Sequence, residues 1–581
     1  MCEYCSLCSY VKDLHFPEKS PEFHYEPLVQ HRGPDTATYE LLTVQGVDIV
    51  KIPGTEEEFV RVSPEVIRRL SFEAIKEISF FQPHGHLKQI AAIMTDPDAS
   101  DNDRTVAREF LVNATVAAQG KLPTCQDTGT AICIGYRGQR VLTAGEDKKH
   151  LSRGIYDAYG GMALRYSQVA PLTMFSEKNT GTNLPAQIEL HATDGGEYHF
   201  RFIAKGGGSA NKFKLFQKTK ALLTPAALTS FIRSQLPALG TAACPPYHIA
   251  FVIGGLSAEQ NMGMLKKASA HFLDDLPFTG NEHGRAFRDL DLEREIEKMC
   301  QDSGIGAQFG GIGFALDVRV IRLPRHGASC PVSIGVSCAA HRQCKAKITR
   351  EGVYIERLEH NPAQILKKAD EDLAELMRQK AKVVKKEGGE DEEEKEGGIV
   401  SIDLDKGMDD ICAQLTRHTV GTRLSLNGTL IVARDMAHLK LAERLEATGS
   451  IPDYIKDHPV YYAGPAKKPE GFKSGSIAAT TAQRMDPYVP LFQPHGGCRV
   501  TIAKGQRGDD VTASCKEYGG FYLGTIGGTA ARVASQCIQS IDCVEFEELG
   551  MEAVWKLVVK DLPAFLLVDD KGNDFFKTLG M

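Results

Sequence analysis

Residues 104–136 read RTVAREFLVNATVAAQGKLPTCQDTGTAICIGY, a helical pattern, a polar loop and a strand in direct succession. Val106, Phe110, Ala114 and Ala117 lie on one helical face, and Gly120 ends the pattern. The run 131–136 is typical of a buried strand. Because the loop between them clusters a thiol, an amide and a carboxylate, it is a candidate for chemistry on an α/β scaffold.

The same alternation of helix and strand continues on both sides of this stretch. Ser63-Pro64-Glu65 predicts the start of a helix, with serine as the N-cap and proline in the first turn. Residues 153–166 predict a second helix that carries Arg165 in its last turn. The runs 199–204 and 248–253 predict strands that lead into glycines.

Towards the C terminus the pattern is again of α/β type. Asn427-Gly428 lies between the apolar runs 423–426 and 429–432, and this arrangement predicts a β-hairpin. Asp435 is a candidate N-cap for the next helix. A glycine-rich turn at 519–528 predicts a helix over 530–538, and residues 564–568 predict a late strand.

One compositional break divides the chain. Residues 378–398 read RQKAKVVKKEGGEDEEEKEGG, which is charge and glycine with almost nothing to bury. We therefore predict a larger N-terminal domain over 35–377, a charged linker over 378–398 and a smaller C-terminal domain over 399–581. Residues 1–34 are predicted to be an unstructured extension, and the fold class is mixed α/β.

Composition excludes some classes of function. The 581 residues carry 68 Lys and Arg against 75 Asp and Glu, a formal net charge of −7. A mildly acidic chain argues against nucleic acid or an anionic membrane as the main partner. No apolar run approaches the roughly 20 residues of a membrane helix, and no leader is recognisable, so we expect a cytoplasmic protein, with a mitochondrial address left open.

The cysteines are informative but ambiguous. Fifteen in so long a chain are too sparse for a disulfide scaffold, so thiols that are free, metal-bound or catalytic are expected. Cys125, Cys244 and Cys338 lie at the ends of predicted elements, yet spacing alone does not choose them from the fifteen. Cys2, Cys5 and Cys8 have a spacing found in metal sites but lack a fourth ligand, and both an incidental and a metal-binding role stay open.

Common nucleotide-binding signatures are missing. Gly206-Gly207-Gly208-Ser209 lacks the Walker A spacing, and residues 304–313 do not contain G-x-G-x-x-G after a strand. The three glycines after a predicted strand could still present backbone N–H groups to a carboxylate. A tight turn with close packing is the alternative.

Several segments together resemble the class I iron–sulfur fumarate hydratases, in their single-chain two-domain form. They occur in the family's order and are PTCQDTGTA, FIAKGGGSANK, LGTAACPPYHIAFVIGG, SGIGAQFGG, RLPRHGASCPV, LNGTLIVARDMAH, YYAGPAK, TTAQRMD and GGFYLGTIGG. The resemblance implies a cluster-binding N-terminal domain with a swivel-like C-terminal domain. It further implies a [4Fe-4S] cluster, reversible hydration of fumarate to S-malate, and a homodimer.

Residue by residue, the resemblance implies a complete site. The cluster ligands are Cys125, Cys244 and Cys338, with Cys330 as the most plausible rival. The implied substrate shell is Gln126, Arg165, Gly208, Arg434, Arg484 and Lys504. Asp127 would be the acid for the departing oxygen, His326 would tune its protonation, and Thr480 would be the base at carbon, although the acid and base assignment of Asp127 and Thr480 stays open.

Two alternatives accompany this interpretation. A related hydro-lyase for tartrate or mesaconate would share the cluster chemistry and differ in the shape of its pocket. A redox or metal sensor would use the N-terminal cysteines to bind a partner. The chain also departs from the family's pattern, since Ala478-Ala479 stand where Gly-Pro is expected before Thr480, and Gln483 replaces a small residue.

Overall fold

The computed structural model of the chain describes residues 22–386 and 398–581. Its α-helices are α1 (Pro64–Phe80), α2 (His84–Thr95), α3 (Asp101–Ala117), α4 (Asp147–Gly161), α5 (Gly207–Ala210), α6 (Pro225–Gln235), α7 (Ala258–Ser269), α8 (Leu290–Asp302), α9 (Pro362–Lys386), α10 (Met408–Leu415), α11 (Asp435–Thr448), α12 (Tyr454–Asp457), α13 (Val489–Phe492), α14 (Asp509–Tyr518), α15 (Ala530–Arg532) and α16 (Phe575–Thr578). Helix and strand alternate throughout, so the predicted mixed α/β class is confirmed.

The strands complete this description. They are β1 (Tyr39–Thr43), β2 (Val47–Lys51), β3 (Glu58–Val62), β4 (Thr130–Gly138), β5 (Val141–Thr143), β6 (Val169–Pro171), β7 (Glu177–Asn179), β8 (Gln187–Thr193), β9 (Tyr198–Lys205), β10 (Lys214–Lys218), β11 (Tyr247–Gly255), β12 (Phe287–Arg288), β13 (Ala315–Arg325), β14 (Cys330–Ser337), β15 (Gln343–Thr349), β16 (Gly352–Glu356), β17 (Val400–Asp403), β18 (Arg423–Val432), β19 (Val460–Tyr461), β20 (Val500–Ala503), β21 (Phe521–Thr525), β22 (Ile538–Glu545) and β23 (Val554–Val568). Among the described residues no helix is both long and apolar enough to cross a membrane.

Two mixed sheets build the N-terminal half. One has the order β1-β16-β15-β9-β4-β8, and the other has the order β10-β14-β11-β13-β12. Helices α1 and α4 bury their apolar faces against the first sheet, where Leu70, Ile155 and Phe200 belong to one hydrophobic cluster. In the second sheet β11 is parallel to β13 but antiparallel to β14, so the start of β11 meets the end of β14.

A seven-stranded sheet builds the C-terminal half. The strands β18, β19, β20 and β21 are parallel neighbours, and the long strand β23 pairs antiparallel with both β21 and β18. These five strands therefore form a closed ring. The parallel strands are followed by polar loops at their carboxyl ends, where sites in α/β folds are usually built.

The predicted hairpin at Asn427-Gly428 is wrong. Residues 423–432 form the single strand β18, because β23 pairs with it along its length from Arg423 to Val432. The register shifts between Leu426 and Gly428, and Gly428 has φ +118°, so the Asn-Gly pair makes a bulge instead of a turn. The Asn427 side chain accepts a hydrogen bond from the backbone N–H of Asp561 on β23.

The other local predictions differ in their boundaries. Helix α1 and strand β4 form as predicted, and α3 begins earlier because Ser100 caps it. Helix α4 spans Asp147–Gly161, so Arg165 lies in extended chain beyond it and not in a last turn. Arg434, not Asp435, is the N-cap of α11.

Near the C terminus two predictions are also shifted. The glycine-rich stretch contains β21, and the helix predicted over 530–538 is the short α15 followed by a single π-helical turn at Val533–Cys537. The late strand predicted at 564–568 is the end of β23.

The chain is ordered beyond the domain limits predicted above. Helix α9 continues to Lys386, which is inside the predicted linker. Residues 26–34 have no regular structure but are packed on the N-terminal half, where Arg32 donates hydrogen bonds to the carbonyls of Asp274 and Leu276. The extension predicted over residues 1–34 therefore includes residues with defined contacts, and Cys2, Cys5 and Cys8 lie outside the described residues.

The two halves share a hydrophobic core. One cluster of buried side chains includes Phe110 and Phe309 from the first half and Ile431, Tyr462 and Phe565 from the second. The rings of Phe309 and Phe565 stack with their centroids 3.8 Å apart. Burial of apolar surface therefore holds the halves together and fixes the cleft between them.

Candidate active site

A cavity of about 380 Å³ lies where the two halves meet. It gathers nearly all the residues that the sequence singled out: Cys125, Gln126, Asp127, Arg165, Gly208, Cys244, Cys338, Arg434, Thr480, Arg484 and Lys504. The three thiols and Asp127 come from the first half, whereas Arg434, Thr480 and Lys504 come from the second. The site is complete only when both halves are present.

The three thiols line one cavity, and they come from loops beside two different sheets. Cys125 lies between α3 and β4, Cys244 precedes β11, and Cys338 follows β14. Since β11 and β14 are antiparallel neighbours, Cys244 and Cys338 lie at the same edge, and the Ala339 N–H donates a hydrogen bond of 3.1 Å to the Cys244 carbonyl. All three cysteines are free of disulfides.

Cationic side chains surround the thiols. The Lys504 Nζ donates to the Cys244 Sγ at 2.8 Å. Burial raises the pKa of Cys244 to about 11, although the Lys504 ammonium opposes that rise. Burial likewise raises the pKa of Cys125, against the opposing charge of Arg342. Buried thiols beside fixed cations are suited to bind as thiolates when a metal centre replaces their protons.

Asp127 is held as a carboxylate. Its carboxylate lies 2.9 Å from the Arg165 guanidinium and accepts a 2.9 Å hydrogen bond from the Gly207 N–H. Arg342 donates a hydrogen bond of 2.7 Å to the Asp127 backbone carbonyl. Burial alone would raise the pKa of Asp127, but Arg165 and Arg342 hold it well below its usual range. The chain therefore presents an ionised carboxylate between two buried guanidinium groups.

Arg434 enters the cavity from the other side. It follows β18 and is oriented by Glu552 at 2.6 Å and by Asp435 at 3.4 Å. Arg484 also contacts Asp435, at 3.3 Å, and is about half exposed at the mouth of the cavity. The Nη1 atoms of Arg165 and Arg434 are both buried without a hydrogen-bond partner. Buried unpaired guanidinium nitrogens are costly, so they indicate a place for an anion.

Thr480 lies on a rigid backbone segment. Its N–H donates to the Tyr462 carbonyl at 2.7 Å, and its Oγ1 donates to the same carbonyl at 3.2 Å. The neighbouring backbone is tied by the Lys504 N–H, which donates to the Thr480 carbonyl at 3.2 Å. Ala479 bridges to Ala463, so the Ala-Ala departure from the family pattern is accommodated within buried, hydrogen-bonded chain.

Two sequence candidates lie elsewhere. His326 is exposed in the connection between β13 and β14 and does not line the cavity of the single chain. Its expected contact with Asp127 is absent from the hydrogen bonds and ion pairs of the described residues. Cys330 begins β14 whereas Cys338 follows it, and eight strand residues span about 26 Å. The rival ligand is therefore at the far end of the strand.

Sequence reasoning missed further residues, among them Arg342 in the cavity and Gln308 beside it. Arg342 lines the cavity and contacts Asp127, but nothing in its local pattern marks it. Gln308 is buried behind Cys244, where its side chain donates to the carbonyls of Pro245 and Gly527 and accepts from the Gly527 N–H at 2.8 Å. It has φ +144°, a strained value for glutamine that marks a constrained position.

Comparison with known proteins gives full-length matches. The family model described as fumarate hydratase (Fumerase) matches residues 69–347, and the model described as fumarase C-terminus matches residues 352–579. The chain is 55% identical to "Fumarate hydratase class I, anaerobic" of Escherichia coli (strain K12), over 94% of this chain and 96% of the relative. It is 50% identical to "Fumarate hydratase 2" of Leishmania major over the whole of both chains, and 50% identical to "Fumarate hydratase 1, mitochondrial" of the same organism over 96% and 98%.

Proposed function

Since this chain belongs to the class I fumarate hydratases, which are hydro-lyases, we propose that it interconverts fumarate and S-malate with a [4Fe-4S] cluster held by Cys125, Cys244 and Cys338. The observation that carries this proposal is one cavity that combines three free thiols with two buried, partly unpaired guanidinium groups. Thiols suit an iron–sulfur centre, and guanidinium groups suit a dicarboxylate.

The donor set fits such a cluster. Three cysteines for four irons leave one iron without a protein thiolate, and Cys125, Cys244 and Cys338 are the cysteines among the residues that line the cavity. When bound, the cluster supplies an open iron that acts as a Lewis acid on the malate hydroxyl and carboxylate. Lys504 and Arg342 place positive charge beside the thiolates, which offsets part of the charge of the anionic site.

Substrate binding follows from the unpaired donors. The Arg165 and Arg434 nitrogens without a partner would each take an oxygen of a substrate carboxylate. Gln126, the Gly208 backbone, Arg484 and Lys504 complete the polar lining. Arg484 is exposed and Asp435 is its partner, so substrate must compete with that carboxylate for it.

Proton transfer requires a group at oxygen and a group at carbon. In dehydration the C–O and C–H bonds of malate break, and one proton leaves carbon while another joins the departing hydroxide. We assign the proton at oxygen to Asp127: in hydration its carboxylate takes the proton that the added water loses, and in dehydration it returns that proton to the departing hydroxide. We assign the proton at carbon to Thr480. A threonine hydroxyl needs nearby cations to act as a base, and Arg434 or Arg484 would supply them.

Isotope exchange tests this assignment. With Thr480→Ala we expect exchange of the malate carbon-bound proton with solvent to be lost, whereas Asp127→Asn would mainly slow departure of the oxygen. If Asp127→Asn instead abolishes the exchange and Thr480→Ala preserves it, the two roles are reversed.

The cluster itself is tested by Cys125→Ser in anaerobically purified protein. We expect loss of the brown iron–sulfur absorbance, of iron and sulfide, and of malate turnover. Cys330→Ala is the matched control, because Cys330 is also a buried cysteine but lies at the far end of β14, and it should keep iron. A Cys125→Ser protein that keeps iron and activity would contradict the ligand assignment.

Substrate preference is tested by steady-state rates on fumarate, S-malate, tartrate and mesaconate. We expect fumarate and malate to be preferred, and no turnover of malate would overturn the proposal. Deletion of residues 1–16 tests the sensor alternative: we expect hydration activity and partner binding to be unchanged, whereas loss of partner binding alone would support a role for Cys2, Cys5 and Cys8.

The remaining proposals come from the family. We propose a homodimer, which sedimentation of the purified protein would detect, and inactivation by oxygen, which paired aerobic and anaerobic assays would detect. We also propose a cytoplasmic location. One relative is named mitochondrial, so fractionation of cells with a tagged full-length chain is the test.

A further inference from the structure

A buried group of ionisable side chains lies behind the segment that carries Cys338 and Arg342. It consists of His86, His248, His271, His341 and Asp317, called here the histidine cluster. None of the five lines the active-site cavity. His86, His248 and His341 are 2–3% exposed and Asp317 is 6% exposed. The proposed function uses none of them, so the cluster requires its own explanation.

Four side-chain atoms from three residues of the cluster lie close together. The His248 Nδ1 is 3.0 Å from the His271 Nε2 and 2.9 Å from the Asp317 Oδ1, and the His271 Nε2 is 3.6 Å from the Asp317 Oδ2. A tetrahedral ion with bonds of about 2.0–2.2 Å places its ligand atoms about 3.3–3.5 Å apart. Two of the three separations are shorter than that spacing and one is slightly longer.

A ring nitrogen of His341 lies near the same atoms. One ring nitrogen from each of His248, His271 and His341 lies within 4.8 Å of the others, and the His248 and His341 rings have centroids 4.2 Å apart. The His341 Nε2 is now 3.2 Å from the amide nitrogen of Gln343, which would turn away or flip when an ion is bound. The Oε1 of Gln343 is buried without a partner, so the flip would not break another hydrogen bond of that atom.

The outward nitrogens of these rings are held by other groups. The His248 Nε2 contacts the His86 Nδ1 at 2.9 Å, and the His86 Nε2 contacts the Ala339 carbonyl at 2.9 Å. The His271 Nδ1 lies 3.0 Å from the Asp274 carboxylate and 3.0 Å from the Arg319 Nη2, so it either donates to Asp274 or accepts from Arg319. If each outward nitrogen carries the proton, the His248 Nδ1 and the His271 Nε2 both present lone pairs to the same point.

The His341 ring follows the same rule. Its Nδ1 contacts the Ser337 Oγ at 2.8 Å, which leaves the Nε2 for a ligand. Arg319 pairs with Asp274 at 2.8 Å and lies 3.6 Å from Asp317, so it balances the two carboxylates around the cluster. In the tautomer with protons on the outward nitrogens, the lone pairs of the His248 Nδ1 and the His271 Nε2 are 3.0 Å apart and repel each other unless a cation lies between them, whereas a proton on the His271 Nε2 makes the same contact a hydrogen bond. Hydrogen-bonded partners that fix a ring's orientation are typical of metal-ligating histidines.

We propose that His248, His271, His341 and Asp317 bind one zinc ion in a structural site that is separate from the active-site cavity. Four protein ligands without an open position are typical of a structural zinc site, and imidazole with carboxylate suits Zn²⁺. The ion would connect β11, β13 and the end of α7 to the segment after Cys338. It would therefore fix the backbone between a thiol and Arg342. This inference stands independently of the proposed function.

The test measures metal in the full-length protein, purified anaerobically with its iron and supplied with Zn²⁺. Elemental analysis should find about one zinc per chain in addition to iron. In Asp317→Asn and His271→Gln, zinc retention should fall more than about tenfold while iron is kept. The matched control is His191→Gln, since His191 is exposed on β8 and its ring stacks on Tyr136 and not on a residue of the cluster.

Cobalt gives a second measurement that needs no variant. Titration of zinc-free wild-type protein with Co²⁺ should produce a tetrahedral visible band that saturates near one equivalent and disappears when Zn²⁺ is added. Zinc at background in the wild type, equal zinc in the variants, or no such cobalt band would each overturn the proposal. Those results would identify a hydrogen-bonded histidine cluster that shares protons only.

Discussion

We predict that the buried histidine beside Arg434 makes the stability of the C-terminal half depend on pH. His438 is fully buried on α11, and its Nδ1 contacts the Arg434 carbonyl at 3.1 Å. Its Nε2 has no hydrogen-bond partner and is surrounded by the rings of Tyr462, Tyr488 and Phe492. Burial lowers the pKa of His438 to about 4, because a second proton would have no acceptor there.

The size of this pH effect follows from the linkage between proton binding and folding. An unfolded histidine has a pKa of about 6.5. Below that pH the unfolded chain takes up a proton that the folded chain does not, so stability is complete above pH 6.5 and is lost as the pH falls towards 4. The loss is about 1.4 kcal/mol per pH unit, which gives about 2 kcal/mol between pH 6.5 and 5.

Replacement by asparagine removes this dependence. His438→Asn can keep an N–H near the Arg434 carbonyl but cannot titrate. The protein has a single tryptophan, Trp555 on β23, so urea unfolding followed by its fluorescence reports on the same half as His438. We expect the variant to be less stable at pH 7, yet to lose about 2 kcal/mol less than wild type between pH 6.5 and 5.

A variant of exposed His191, His191→Asn, is the control and should keep the wild-type slope. If His438→Asn also keeps that slope, the acid sensitivity does not come from His438. The low pKa inferred from its burial would then be wrong.

Three further outcomes follow from single contacts. Gly527→Ala would place a Cβ 2.6 Å from the Cys244 Sγ, so iron and sulfide per chain should fall while unfolding followed by Trp555 fluorescence is little changed. Gly263→Ala, in open space on α7, is the control, and full iron content in Gly527→Ala would contradict the expected crowding of the Cys244 thiol. Glu552→Gln weakens the charged contact that orients Arg434, so the KM for malate should rise by about tenfold with a smaller change in kcat. An unchanged KM would show that Glu552 does not orient Arg434. The Asp103 carboxylate accepts hydrogen bonds from the backbone N–H groups of residues 307, 312 and 313, so Asp103→Asn should lower the free energy of unfolding by about 2–4 kcal/mol. An unchanged melting temperature would refute this prediction.

Local patterns predicted those elements whose partners are near in sequence or whose signals are strong. Ser63-Pro64-Glu65 with helical apolar spacing was sufficient for α1, and the apolar run after Gly129 was sufficient for β4. The Asn427-Gly428 signal failed because β23, more than a hundred residues later, pairs along both sides of it. A turn signal cannot outweigh a long cross-strand partner that the local sequence does not reveal.

The candidate site divides in the same way. The loop with Cys125 and Asp127 stands out locally, but the choice of Cys338 over Cys330 came from resemblance to a family. The structure separates the two thiols, since Cys330 begins β14 whereas Cys338 follows it and lines the cavity. Arg342 and Gln308 escaped notice because their roles consist of contacts with residues distant in the sequence.

The shared hydrophobic cluster between the halves has a genetic consequence. Phe309 and Phe565 belong to it, and across the same boundary Arg532 pairs with Glu109 at 2.7 Å. If the halves were translated as two polypeptides, one ending near residue 386 and the other beginning near residue 398, they would carry the same contact surfaces. They could then assemble the same active-site cavity. Fission or fusion of the gene at that point would leave the chemistry intact, whereas a mutation of a contact surface would damage it without touching any reacting group.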